Sequence, residues 1–364
     1  MGPMMTTPPA AIEFVDEARV APLTQLDLAR DGRIGRFNGG VYRADGSVVE
    51  AGLHVKDRYR NEPDALATGA EAMRVPGAHL FGGMLQNTHF GHFMVESLGR
   101  LWAAGQLRQV DSVVFYPRHL ERPLPGYAKE LLWLLGIEAD ICLASSLMQF
   151  ETLAVPTPMV TRSGYLAGYP AARRMTQELR GVGRGAGAKK LYVSRSRLNP
   201  RDGAILLEER IEQNLEREGY TVIHPERLTI AQQLAHYNSA EHLVFADGSA
   251  LHLYALVARP DQRVFVVWRR KRNGMFGWQI RSFGGAVVEG APCVQRLWVP
   301  EVSFGAMAQA KAVLDFDDLR RQLVAGGFIG GDGWRDPGAA DFSEALERIR
   351  TLTKLQYAEQ TDIG

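Results

Sequence analysis

Three short segments of this sequence concentrate residues that can do chemistry. In the first, His92, Glu96 and Arg100 are spaced by four, so on a helix they share one face. Phe93, Leu98, Leu101 and Trp102 make much of the remainder apolar. A helix that carries an imidazole, a carboxylate and a guanidinium among apolar neighbours must pair those groups or use them. An imidazole oriented by a carboxylate is a good general base near neutral pH. His89, His92 and Glu96 also resemble a metal set, although no further His or Cys lies close by in the sequence.

The second segment is Ser194-Arg195-Ser196-Arg197, directly after the apolar run 191–193. Arginines at a strand end can grip phosphate oxygens two at a time; a solvated turn is the plainer reading. The third is Asp247-Gly248-Ser249-Ala250-Leu251-His252, after the run 242–246. Gly248 permits a tight turn and close approach to a ligand. Ser249, Ala250 and Leu251 would present backbone N–H groups at a helix start, where the dipole favours an anion. Asp247 could cap that helix. The plain alternative is an N-capped helix with a partly buried His252.

The elements that must position these segments follow from spacing. Apolar runs predict strands at 113–116, 153–155, 191–194, 220–223, 242–246 and 263–268. Helices are expected at 127–135, stopped by Gly136, and at 205–215, ended by Gly219. A third starts with the capping-box pair Thr229 and Gln232, and a fourth runs from about 249 to 257. Alternating strands and helices with short loops argue for βαβ units and a parallel sheet. In such sheets ligands sit beyond the carboxyl ends of the strands, where the second and third segments fall. Residues 11–60 read as β-rich, with a hairpin at 41–49 around Asp45-Gly46. Four glycines within 181–187 make 181–188 the linker candidate. After a flexible glycine-rich connection at 325–340, residues 341–357 read as one amphipathic helix capped by Asp341 and Glu344.

Composition narrows the class. The chain has 364 residues, 46% hydrophobic and 23% charged, which is ordinary globular composition. This length suggests two domains. With 42 Lys and Arg against 41 Asp and Glu, the charge balance is poor for a general nucleic-acid binder. Cys142 and Cys293 are the only cysteines, which excludes a disulfide framework. No run approaches the roughly 20 apolar residues of a membrane span. The N-terminus, with Pro3, Pro8 and Pro9, does not read as a secretory signal, and its Gly2/Thr6 myristoylation pattern reads as chance. A cytoplasmic location is expected. The basic run 269–272 reads as a solvated loop, with phosphate or membrane contact as the alternative.

Taken together, four motifs resemble glycosyltransferase family 61, in its bacterial capsule and exopolysaccharide branch. Residues 91–101 look like the family's H-x-x-x-E-x-x-x-R-L helix. Residues 191–195 are similar to its strand-end Ser-Arg. Residues 219–233, from Gly219-Tyr220 through His224-Pro225-Glu226 to Gln232-Gln233, resemble its third stretch. Residues 246–252 look like its H-G-[AS]-x-[LI] loop, with Asp247 in place of the His. His89, Gly99 and Leu253 stand where many members have Asn, Pro and Asn. The resemblance covers roughly 80–268.

It implies an α/β, GT-B-like architecture: two Rossmann-like domains facing across a cleft. Residues 1–180 would form the acceptor-side domain, 181–190 the linker and 191–325 the nucleotide-sugar domain. Residues 326–364 would form the connection and a last helix bracing the first domain. The implied reaction is inverting and needs no metal or other cofactor. His92 would act as base with Glu96 orienting it, and Asp247 is the runner-up. Ser194, Arg195, Arg197, Glu226, Gly248, Ser249, Ala250 and His252 would hold the nucleotide-sugar donor. His89 and Arg100 would face a glycan or lipid-linked acceptor, with peripheral association to the inner membrane. A non-catalytic glycan- or nucleotide-binding protein, or a metal-dependent hydrolase using His89, His92 and Glu96, are the alternatives.

Overall fold

The computed structural model describes residues 7–27, 35–56, 59–66, 70–270, 274–302 and 305–360. The Gly2/Thr6 pattern and Lys271-Arg272 lie outside them. The chain divides into two compact units, Met1–Leu179 and Arg180–Gly364.

The first unit is built on one eight-stranded sheet. Its strands are β1 (Ile12–Asp27), β2 (Gly35–Tyr42), β3 (Val55–Lys56), β4 (Tyr59–Asn61), β5 (Met73–Leu85), β6 (Ser112–Pro117), β7 (Asp140–Leu143) and β8 (Met148–Pro156). The order is β3-β4-β2-β1-β8-β5-β6-β7. β8, β5, β6 and β7 run parallel, while β1 pairs antiparallel with both β2 and β8. β6 is buried along its whole length, which is why Val113-Val114-Phe115-Tyr116 is a continuous apolar run and not an alternating one. Phe37, Phe81, Tyr116, Phe150 and Val155 pack in the core. The expected hairpin is present: Tyr42 bridges Val48, and Gly46 takes the left-handed backbone of the turn. The helices are short: α1 (Phe90–His92), α2 (Gly126–Leu134) and α3 (Pro170–Met175). Gly136, left-handed at φ 74°, ends α2, and the Ile137 N–H reaches back to the Leu132 carbonyl at 3.0 Å.

The second unit holds a five-stranded parallel sheet and a smaller mixed one. The parallel sheet comprises β9 (Lys190–Val193), β11 (Thr221–Ile223), β12 (His242–Ala246), β13 (Arg263–Val267) and β14 (Val288–Glu289). The helices between them are α4 (Glu208–Arg217), α5 (Ile230–Ser239), α6 (Ala250–Val257) and α7 (Gly274–Gly284). The strand order is β11-β9-β12-β13-β14. Counted within this sheet it is 2-1-3-4-5, so the topology reverses between β9 and β12. The Thr229–Gln232 capping box forms in both directions and starts α5. The second sheet orders β10 (Ala204–Ile205), β16 (Lys311–Leu314), β15 (Val294–Pro300) and β17 (Tyr357–Gln360). Helices α8 (Phe316–Ala325) and α9 (Ala339–Thr353) complete the unit.

The chain is therefore a mixed α/β protein. The five-stranded sheet is Rossmann-like, whereas the first unit's sheet is mixed.

Two local expectations are corrected. Ile205-Leu206-Leu207 does not open a helix: β10 pairs with β16, and Leu207 turns left-handed (φ 61°) before α4 begins. The last helix stops at Thr353, where Lys354 is left-handed, and residues 357–360 form a strand. Its cap is Gly338, whose N–H donates to Asp341 at 2.8 Å. Its apolar face packs on Leu206, Val313 and Tyr357 of its own unit. The glycine-rich stretch 181–188 lies against α5, with the Gly185 and Gly187 N–H groups donating to Ser239 Oγ at 3.0 Å each. Among the described residues no helix is long and apolar enough to cross a membrane.

Candidate functional site

In the first unit, His92 ends α1 and Glu96 follows one turn later, in a single wide π turn, Phe93–Ser97. The spacing of four works as expected here: His92 Nδ1 lies 2.6 Å from Glu96 Oε1. The Glu96 side chain is 2% exposed and that of His92 is 51% exposed. The carboxylate thus sits below the surface and accepts from Nδ1–H. That leaves Nε2 as the lone pair of a half-exposed ring, which is the tautomer a base needs. His89 packs edge-on against His92 with ring centroids 4.9 Å apart.

The same spacing fails at Arg100, because the helix breaks. The Val95 carbonyl accepts from Leu166 N–H (2.8 Å) and the Gly99 carbonyl from Met159 N–H (2.7 Å). A side chain at position 99 would meet Val160 Cγ1 at 2.9 Å, so the passing segment needs glycine there. Arg100 turns away from Glu96. Its guanidinium donates to the Pro156 and Leu53 carbonyls at 2.8 and 2.7 Å, and burial pulls its pKa down to about 10. It clamps two chain segments inside the unit, a correction to its expected acceptor-side place on the His92 face.

Glu96 has three further neighbours that the sequence did not single out. Lys56 pairs with Oε1, Gln86 Nε2 donates to Oε2 at 2.9 Å, and His54 Nε2 stands 3.7 Å from Oε2. Burial by itself raises the Glu96 pKa, but the His92 hydrogen bond and the Lys56 charge outweigh it and hold the carboxyl at about 2. Burial pushes the fully enclosed His54 down to about 4. Among the described residues no group of three or more His, Cys, Asp or Glu is placed to hold a metal ion.

In the second unit, the two remaining segments come together at the carboxyl ends of β9 and β12, where the strand order reverses. Arg195 lies against Gly248: a side chain there would sit 2.9 Å from Arg195 Cδ and inside contact distance of Nη1. Only glycine lets the turn approach the guanidinium this closely. Arg195 Nη2 donates to the Gly203 carbonyl at 3.0 Å. Its Nε is buried and has no hydrogen-bond partner among the described residues. More cations gather round. Arg269 Nε donates to the Asp247 carbonyl at 3.1 Å. Arg270 grips the Asp247 carboxylate through Nε (2.9 Å) and Nη2 (3.3 Å). Lys311 Nζ donates to the carbonyls of Pro200, at 2.7 Å, and Asp202. Burial lowers Lys311 to about 8, with Arg269 and Arg195 adding repulsion.

Several expectations change here. Asp247 is fully buried with its carboxylate paired to Arg270, and it does not cap α6. Ser249 stands at that cap with no side-chain hydrogen bond. Arg269 and Arg270 are part of the cluster and not a solvated loop. The Leu251 N–H bonds the Gly248 carbonyl at 3.2 Å. Among the described residues the Ser249 and Ala250 amides have no backbone acceptor outside the helix. His252 is buried with Nδ1 2.7 Å from Gln279 Oε1. Arg197 and Glu226 are exposed.

Ser194 leads to a buried network absent from the sequence reading. Glu208 Oε1 accepts from the Arg195 N–H (2.7 Å) and lies 2.9 Å from Ser194 Oγ and 3.0 Å from Tyr192 Oη. Glu212 Oε1 lies 2.6 Å from Ser194 Oγ and 2.5 Å from Ser196 Oγ. His224 Nδ1 stands 3.9 Å from Glu212. Burial raises Glu208 to about 7, against the hydrogen bonds that lower it. A signal for the two acids existed: 208, 211, 212 and 215 are one helix face, and Ile211 and Leu215 are its apolar members.

The family model described as Glycosyltransferase 61 matches residues 90–265. The match takes in the His92–Glu96 pair, the Ser194–Arg195 strand end and the Asp247–His252 turn. No curated protein matches the chain.

Proposed function

The chain belongs to the glycosyltransferase 61 family through residues 90–265, and from that premise we propose an inverting, metal-independent transfer of a sugar from a nucleotide-diphosphate donor to a glycan acceptor. The observation that carries the donor assignment is the cation cluster at the β9/β12 switch point. Arg195, Arg269, Arg270 and Lys311 gather there; among the described residues Asp247 is the carboxylate ion-paired with them, through Arg269 and Arg270, while Asp202 and Glu208 act on Lys311, Arg195 and Arg269 through space. The buried Arg195 Nε lacks an acceptor. A diphosphate supplies the missing charge and the missing acceptor, and the Ser249 and Ala250 amides at the start of α6 add donors. Four positive side chains take the part that a metal ion plays in other transferases.

His92 Nε2 then takes the proton of the acceptor hydroxyl. The acceptor oxygen bonds to the anomeric carbon as the bond from that carbon to the diphosphate oxygen breaks. The nucleoside diphosphate leaves with the electron pair, and the anomeric centre inverts. Glu96 fixes the His92 tautomer and steadies the imidazolium that forms. A GT-B arrangement of the two units, and an acceptor of the capsule or exopolysaccharide type carried near a membrane, belong to the same proposal and are supported by the four motifs.

Thermal shift with UDP, GDP and CMP identifies the nucleotide. Product NMR with the corresponding sugars reads the anomer, and turnover is repeated with a chelator. The proposal expects UDP or GDP to stabilise the wild type more than Arg195→Ala, an inverted product and no loss with chelator; stabilisation by CMP alone overturns the diphosphate reading. Equal stabilisation of both proteins overturns the donor site, a retained anomer the displacement, and chelator-sensitive turnover the metal-free reading.

A further inference from the structure

We propose that Lys56 is a positioning residue for this reaction, keeping Glu96 ionised so that His92 holds its proton on Nδ1 and its lone pair on Nε2. The inference rests on the reading of His92 as base. A carboxyl as enclosed as Glu96 favours its neutral form unless a charge in contact opposes burial. Among the described residues, the groups facing Glu96 are few. His92 comes from its own turn, Lys56 and His54 from the 53–56 segment, and Gln86 from the end of β5. The Arg100 and Arg118 guanidiniums stand beyond His54 and act on it through space. Gln86 is neutral, and burial keeps His54 neutral at ordinary pH. Lys56 is thus the full positive charge in contact with the carboxylate.

Its own place is fixed. The Lys56 side chain is 7% exposed, and the ammonium lies 4.7 Å from the centre of the Tyr165 ring. Without it, Glu96 takes a proton from solvent and its O–H becomes a donor toward Nδ1. The single imidazole proton then moves to Nε2, the nitrogen that must receive the acceptor's proton. The base is present but faces the wrong way.

Two-bond 15N–1H correlation spectra of 15N-histidine-labelled full-length protein report the tautomer directly, without any ligand. His92→Ala assigns the signal. The wild type should show Nδ1–H near neutral pH. Lys56→Met should show Nε2–H there and return to Nδ1–H as the pH rises and Glu96 ionises. Lys56→Arg should keep the wild-type pattern, and Lys56→Gln reads the same effect if the Met variant fails to fold. In nucleotide release from UDP-, GDP- or CMP-sugars, kcat of Lys56→Met near neutral pH should fall by about a hundredfold. The donor KM should be unchanged and activity should recover at alkaline pH. An Nδ1–H signal in Lys56→Met across the whole range overturns the inference. Full turnover by His92→Ala instead overturns the base reading and leaves the tautomer result standing, so the two failures are distinguishable.

Discussion

At the scale of single residues, the proposed activation of the acceptor rests on the His92–Glu96 contact. On the proposed reading, replacing His92 with Ala removes the base and leaves the proposed donor cluster of the second unit with all its side chains. The expected outcome is a loss of about 10²–10⁴ in kcat with nucleotide affinity preserved; nucleotide release and thermal shift, measured side by side, separate the two. Arg195 makes the opposite prediction. Arg195→Ala deletes a charge-assisted contact of about 1.5–3 kcal/mol, so nucleotide affinity should fall roughly tenfold to a hundredfold by calorimetry. Gly248→Ala should act in the same direction without removing any charge, because its methyl group displaces the guanidinium it crowds. A Gly248→Ala protein that binds nucleotide normally would show that the close approach has no bearing on binding.

At the scale of elements, the strand ends and helix starts determine which charges meet. Glu208 opens α4 and holds the turn after β9 by accepting from the Arg195 N–H. Its folded-state pKa, about 7, lies above the value of about 4.3 expected in an unfolded chain. The folded state therefore binds more protons between those values, and stability falls as pH rises through that window. Glu208→Gln should accordingly raise the melting temperature relative to wild type above neutral pH, and the gain should shrink toward acid pH. A gain that grows as pH falls would contradict the burial of this carboxyl.

The strands and helices that flank the site were legible in the sequence because their signals are local. Leu243-Val244-Phe245-Ala246 is a continuous apolar run, and Thr229 and Gln232 are a capping pair. The turn carrying His92 and Glu96 was legible to the point where Leu166 and Met159 capture the carbonyls of Val95 and Gly99, contacts across 71 and 60 residues that no periodicity reveals. Lys56 was invisible for the same reason: it lies 40 residues from Glu96 in a segment without a repeat. Arg269 and Arg270 were within reach. They follow an apolar strand just as Arg195 does, and the rule by which Arg195 reads as a candidate phosphate ligand covers them too.

At the scale of the whole molecule, near-neutral composition conceals a strongly uneven distribution of charge. The formal charge is +1, yet four cations meet at one end of the parallel sheet. Each unit also carries an apolar cluster of its own. Phe81, Tyr116 and Phe150 belong to a cluster of first-unit residues, while Tyr192, Val244 and Phe265 belong to a cluster of second-unit residues. A ligand that binds only the native second unit stabilises that unit by mass action, by about 2.7 kcal/mol at a hundred times its Kd. If the donor cluster is what binds nucleotide, hydrogen exchange with saturating nucleotide should slow by close to that factor in the β9 and β12 peptides and in the turns that follow them. The β5 and β6 peptides of the first unit should exchange as before. Protection that appears first in β5 and β6 would mean the nucleotide is held by the first unit, and the roles given to Arg195 and Gly248 would have to be abandoned.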